Sequence, residues 1–222
     1  MEQKPSLYCV DIVKINPQYF EEYLKSVPKL RELEKKHGSQ PVADLFVEAG
    51  GELEAIFLTK FDSMTALSNM QNAYTTDAEI AALLRESGKT VLGLQNFVCV
   101  PDPVIGENSP TDPKGKKMIE FLKVKGDPTQ CGQKLKENME FWNSKMGASN
   151  LKPLILLHPI FFSNQCAIAI FECPPDMDTS LQQYGKVMMD AHNWPKLNEM
   201  RQYIEVLSVR LLKPLRLMLK QP

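Results

Sequence analysis

Little in this chain announces a chemistry. Its 222 residues include three histidines, His37, His158 and His192, spread too far apart to form a helical pair of metal ligands. The five cysteines (Cys9, Cys99, Cys131, Cys166, Cys173) are odd in number, contain no CxxC and mostly fall inside apolar runs. That pattern reads as reduced, buried small hydrophobes and excludes a disulfide framework. The adjacent glycines Gly50-Gly51 have no GxGxxG around them and no strand-to-helix context, so they make a hairpin turn and not a phosphate loop. No Gly-x-Ser-x-Gly elbow is present. The formal net charge is −1, without a basic run interleaved with aromatics, which excludes a nucleic-acid surface. The longest apolar runs, Pro153–Leu157 and Pro159–Phe162, are too short to span a bilayer and are broken by His158 and Ser163. The opening residues MEQKPSLYCV lack the apolar segment of a signal peptide and carry Glu2 without arginine, so a cytoplasmic location is expected.

What is present is punctuation. An apolar strand, residues 7–15, ends at Asn16-Pro17, a cap followed by a proline at the first helical position, where its missing donor costs nothing. Phe20, Leu24, Val27, Leu30 and Leu33 then mark one helical face, with Pro28 inside it, and His37-Gly38 ends it. His37 reads as a cation at a helix C-terminus. A hairpin from Val42 to Asp62 follows, then a second helical region in two pieces, capped by Asp62 or Ser63 and by Asp77, and a strand from Leu94 to Val100. Residues 101–117, PDPVIGENSPTDPKGKK, have linker composition.

The order then restarts. A strand over 118–124 leads to Asp127-Pro128, a stripe of Cys131, Leu135, Met139 and Trp142, a stop at Met146-Gly147 and a hairpin from Lys152 to Pro174. Asp178-Thr179 is read as the next cap, Asn193-Trp194-Pro195 as a short helix, and 204–212 as the closing strand. Asn16-Pro17 answers Asp127-Pro128 and Gly38 answers Gly147, an offset of about 110 residues. The repeat boundaries are therefore 1–100 and 118–222, joined by 101–117. The fold class is α+β: two ferredoxin-like β-α-β-β-α-β units, whose helices cover one face of each sheet. Both faces of the first strand carry apolar residues, so the two bare faces are expected to pack sheet to sheet as a single-chain pseudo-dimeric α/β barrel. Two independent domains are the alternative.

The run YCVDIVKINPQYFEEYLKSVPKLRELEKKHG, the hairpin LFVEAGGELEAIFLTKFDSMTAL and the closing NWPKLNEMRQYIEVLSVRLLKPL resemble the NIPSNAP-like branch of the dimeric α/β-barrel superfamily. The chain departs by carrying Thr59-Lys60-Phe61 where that family often has a tryptophan. The resemblance implies a tandem barrel, a small ligand between the sheets, a mitochondrial association in some members, and no settled reaction. For a haem histidine of the kind known elsewhere in the superfamily His192 could be proposed, but it lies at a helix end beside Asn193, and no cofactor or metal is expected.

Polar residues set into strands are the candidate site: Asp11, Glu120 (which the repeat matches with Cys9), His158 (which it matches with Glu48) and Arg210. As acid, acid, base and anion anchor they could transfer protons on a small polar or aromatic substrate. Each also has a plain reading, as a rim charge, a strand-end histidine or a surface ion pair. Two functions stay open: a small-molecule-binding or partner-interaction scaffold, and a cofactor-independent enzyme of monooxygenase or isomerase type. Phe161 and Phe162, in the apolar second hairpin turn, are a candidate protein-partner surface. The basic tail from Arg210 to Lys220 is read as a strand extension rather than a membrane helix. A monomer or a homodimer is expected.

Overall fold

A computed structural model describes residues 6–49, 52–108, 110, 112, 114–160 and 166–214. The Gly50-Gly51 turn, Phe161, Phe162 and the tail beyond Pro214 lie outside them. The chain divides into two compact units, one of Met1–Val100 with Leu212–Pro222, the other of Pro101–Leu211.

The first unit runs β1 (Leu7–Ile15), α1 (Phe20–Lys36), β2 (Gln40–Ala49), β3 (Glu52–Phe61), α2 (Met64–Thr76), α3 (Ala78–Ser87) and β4 (Val91–Pro101). Asn16 caps as the sequence indicates: its Oδ1 accepts from the Gln18 amide at 3.1 Å, and Pro17 begins a single 3-10 turn that feeds α1. Gly38 ends α1 with φ +89, a backbone that strains any residue with a Cβ. Ser63 caps α2 through the Ala66 amide, and Asp77 caps α3 through the amides of Glu79 and Ile80. His37, at the end of α1, places Nε2 2.8 Å from Asp77 Oδ2 and so ties two helix ends together.

The strands pair antiparallel in the order β4-β1-β3-β2. One face lies under the helices. Leu7 and Cys9 pack there with Leu33, Phe61, Leu67, Met70, Ile80 and Val98; Val13 and Ile15 pack with Tyr23, Leu24, Val27 and Phe57. The alternate residues Tyr8, Val10, Ile12, Ile56 and Leu58 are buried too, as expected for a sheet with two apolar faces.

The second unit runs β5 (Lys117–Val124), α4 (Cys131–Met146), β6 (Lys152–Pro159), β7 (Cys166–Glu172), α5 (Met177–Met189), α6 (Trp194–Tyr203) and β8 (Ile204–Pro214), with β8 assigned to this unit through Leu211. Its order is β8-β5-β7-β6. Asp127 Oδ1 accepts from the Thr129 amide at 2.9 Å, and Gly147 ends α4 at φ +55, repeating the first unit's start and stop. The cap of α5 is Asp176, not Asp178: its Oδ1 accepts from the Thr179 amide at 3.0 Å, the three-residue reach of an N-cap. The proline-rich stretch is anchored rather than slack, since the Asp102 amide donates to Leu156 O and the Asn108 amide to Leu154 O on β6. Leu122, Val124, Leu135, Met139, Leu156 and Phe171 form the core under the helices. The last residues of β8 belong to the first unit, where Phe46 pairs with Lys213 and Leu45 with Pro214. No helix among the described residues is long and apolar enough to cross a membrane.

Candidate functional site

Strand alternation decides where each candidate side chain points. Asp11 shares a face with Cys9 and Val13, so it sits beneath the helices of the first unit, half-buried between two apolar clusters. The ladders place one row of residues across this sheet: Asn96 opposite Asp11, Asp11 opposite Phe57, and Phe57 opposite Asp44. Asn96 Nδ2 donates to Asp11 Oδ1. Burial is the main reason the Asp11 pKa rises to about 6. The Asn96 bond opposes it, Glu34 adds to it and Arg31 lowers it.

Arg31, on α1, lies over this row, its guanidinium carbon 5.3 Å from the Phe57 ring centre. Its Nη1 donates to Glu34 Oε2 at 2.7 Å and to Thr59 Oγ1 at 3.0 Å, and its Nε donates to Asp44 Oδ1 at 3.1 Å. Nη2 lies 2.9 Å from the same Asp44 oxygen, an ion pair without hydrogen-bond alignment. Tyr74 donates to the other oxygen of Glu34 at 2.7 Å. Burial, then the Glu34 charge, pushes the Tyr74 pKa up; burial, then Asp44, does the same to Tyr23. The Tyr23 hydroxyl is buried without a hydrogen-bond partner among the described residues. Arg31 and Glu34 are themselves buried. Such a pair is costly to desolvate and holds only while its geometry is intact.

Glu120, Leu122 and Val124 share the helix-covered face of β5, and Ala169 stands directly across from Glu120. No hydrogen bond or ion pair reaches its carboxyl among the described residues. Burial alone raises its pKa to about 7.

His158 is held by a residue from the stretch read as a linker. Its Nε2 lies 2.8 Å from Oδ2 of Asp102, whose side chain is 3% exposed. Asp102 Oδ1 accepts from the amides of Val104 and Ile105 at 2.8 and 3.1 Å. A Cβ on Gly132 would fall 1.9 Å from that oxygen, so only glycine lets α4 approach so closely. Arg210 donates to Ser208 Oγ at 3.2 Å and lies 5.1 Å from the Phe121 ring centre, on the face of β5 away from Glu120.

Each of the four candidates has its own surroundings within its unit. Asp11 belongs to the first unit, with Asn96. In the second, Glu120 stands among apolar groups, His158 on Asp102 and Arg210 on Ser208 and Phe121. Glu48, the repeat partner of His158, has no described side chain. The assembled polar group is the Arg31, Glu34, Asp44, Thr59 and Tyr74 network beside Asp11. The sequence carried a signal for it: Leu24, Val27, Arg31 and Glu34 follow one another at helical spacing, so the buried stripe of α1 runs on into a charged pair.

Nucleophilic thiol chemistry is disfavoured at four of the five cysteines. Burial pushes Cys9 and Cys99 to about 12 and Cys131 and Cys173 to about 11, with the Asp11 charge adding to Cys9 and Asp102 to Cys131. The described residues contain no group of three His, Cys, Asp or Glu placed to hold a metal ion. His192 pairs with Asp190 at 3.0 Å on the surface.

No family model matches the chain, and no curated protein does. Solved structures do. A putative monooxygenase from Fusobacterium nucleatum subsp. nucleatum is 12% identical with a TM-score of 0.62, over 97% of this chain and 94% of that one. A putative monooxygenase from Lactobacillus acidophilus is 12% identical with a TM-score of 0.57, over 94% and 93%. A nipsnap family protein of unknown function from Agrobacterium tumefaciens is 19% identical with a TM-score of 0.40, over 46% of this chain and 91% of that one. The whole-chain matches carry the fold: α+β with two ferredoxin-like repeats, the dimeric α/β-barrel class that the sequence resembles.

Proposed function

From a fold shared along nearly the whole chain with proteins described as putative monooxygenases, we propose that this protein is a small-molecule-binding or partner-interaction scaffold, working in the cytoplasm. One observation carries the reading. Among the described residues, each group with the chemistry for proton transfer has its own surroundings: Asp11 holds Asn96, His158 holds Asp102, Arg210 holds Ser208, and Glu120 is set among apolar neighbours. Their bonds hold elements together: Asp102 pins the stretch after β4 to β6, and Arg31 pins α1 to β2 and β3. Native mass spectrometry of the protein taken from its source tests this. The expected result is a non-covalent small molecule or a second protein retained under gentle conditions, with no turnover of phenols, quinols or small keto acids by oxygen uptake or proton exchange.

The second reading is a cofactor-independent enzyme, and the polar row of the first unit favours it. Asp11 would be the base, since its raised pKa lets it take and release a proton near neutral pH, with Asn96 orienting it. Asp44, whose side chain is 31% exposed, would stand on the route to solvent. Turnover of any of those substrates that rises with a pKa near 6 and disappears in Asp11→Asn would replace the scaffold reading with this one.

A further inference from the structure

β8 presents an unusual face to solvent. Counting alternate positions along the strand, the outward side reads Glu205, Leu207, Val209, Leu211, Lys213. The three apolar residues are 55%, 52% and 45% exposed, and both flanking charges are exposed. β5 neighbours β8 in the strand order, and β2 pairs with its last residues, Lys213 and Pro214. An exposed apolar row of this kind needs a cover. β4 also exposes Leu92 and Leu94, but its row continues to Asn96 and carries no charge of either sign.

The order of the β8 row says what the cover is. It is symmetric in polarity and antisymmetric in charge about Val209. Turning a second copy by a two-fold rotation about an axis at Val209, in the plane of contact and across the strand, lays the two strands antiparallel. Val209 then meets its own mate, Leu207 meets Leu211, and Glu205 meets Lys213, at both ends at once. A two-fold contact requires a surface complementary to itself, and this row has that property. The Glu205 carboxylate already holds Lys125 at 3.2 Å, and its two oxygens can accept from a second ammonium. The row is about 26 Å long at the rise of a β-strand. That is a narrow contact, below the roughly 800 Å² per partner of a standard stable interface, and it fits a reversible dimer better than an obligate one.

We propose that this face of β8 is a self-association surface, on which two copies of the chain meet face to face about Val209. The inference goes beyond the scaffold reading and does not depend on it.

Sedimentation velocity of the full chain, from low to high micromolar loading, tests it. The expected result is a reversible shift from the monomer mass to twice that mass. Val209→Lys sets two ammonium groups against each other on the axis and is expected to weaken association more than about a hundredfold, with far-UV circular dichroism and melting temperature unchanged. Lys213→Glu alone faces Glu205 of the second copy and also weakens it. The double variant Glu205→Lys with Lys213→Glu restores the end pairs and regains most of the loss. If Val209→Lys lowers the melting temperature, Val209→Thr keeps the branched strand residue and is expected to weaken association severalfold. A chain that stays monomeric throughout overturns the proposal, whatever else covers the row. So does a dimer that neither Val209 variant weakens, or one on which the charge swap has no restoring effect.

Discussion

Glu120 is expected to destabilise the protein at neutral pH, and replacing it with glutamine should make the fold stronger. Its neighbours on the helix-covered side of the second unit's sheet are Leu122 along its own strand, Ala169 across from it and Leu156 one strand further. Burial moves its pKa from 4.5 to about 7, with no charge or hydrogen bond contributing. The folded chain therefore holds this proton more tightly than the unfolded chain. Stability is greatest where both states keep the proton, below about 4.5, and is lost as the pH rises towards 7. A shift from 4.5 to about 7 corresponds to about 3 kcal/mol at most, at 1.36 kcal/mol per unit. The side chain is only partly shielded from water, so roughly 1–3 kcal/mol is the expected range. Glutamine has the shape of the protonated acid and cannot ionise. Wild type and Glu120→Gln should therefore unfold together in urea near pH 4, whereas near pH 8 the variant should gain that amount. For a chain of this length each kcal/mol also raises the melting temperature by about 2–4 °C. Equal stability at both pH values, or a variant weaker near pH 8 than near pH 4, would refute the reasoning, because either result means that Glu120 has a partner favouring its charge.

Three further outcomes are expected. Arg31→Ala leaves Glu34 and Asp44 uncompensated and should cost about 3–5 kcal/mol in urea unfolding, while Thr59→Ala, which removes one neutral acceptor, should cost about 1 kcal/mol. Gly132→Ala drives a methyl group into the Asp102 carboxyl, so it should displace Asp102 and destabilise by about 1–3 kcal/mol; combined with His158→Ala the losses should fall short of additive, because both variants break the same bond. Among the thiols, Cys166 is the one that is partly exposed, and titration with a disulfide reagent should show one fast group per folded chain, with Cys9, Cys99, Cys131 and Cys173 reacting only on unfolding.

The architecture was legible because it is written in residues with local, obligatory roles. Asn16-Pro17 and Asp127-Pro128 can start a helix before any tertiary contact exists, and Gly38 and Gly147 occupy backbone angles that other residues resist. The polar residues were found but their setting was not. Alternation shows that Cys9 and Asp11 share a face; when both faces of a strand are apolar it does not say which one the helices cover. That single ambiguity is why Asp11, Glu120 and His158 looked like the lining of a cavity and lie under helices instead. Asp102 was hidden differently. Its neighbours are prolines, glycines and charges, which read as a linker, and only tertiary contact with Leu156 and His158 makes it a buried anchor. The α5 cap moved from Asp178 to Asp176 because either aspartate suits the motif and the three-residue span to the Thr179 amide selects one.

The pairing of Leu45 and Phe46 with Pro214 and Lys213 bears on how the protein is made. A ribosome releases β2 well before the end of β8. The outer strand of the first repeat must therefore wait, with ladder groups open, until the second repeat has been synthesised as far as Pro214. The first repeat to be translated is thus the last to be finished. A ribosome stalled in the second repeat holds a nascent chain whose β2 edge still lacks the end of β8.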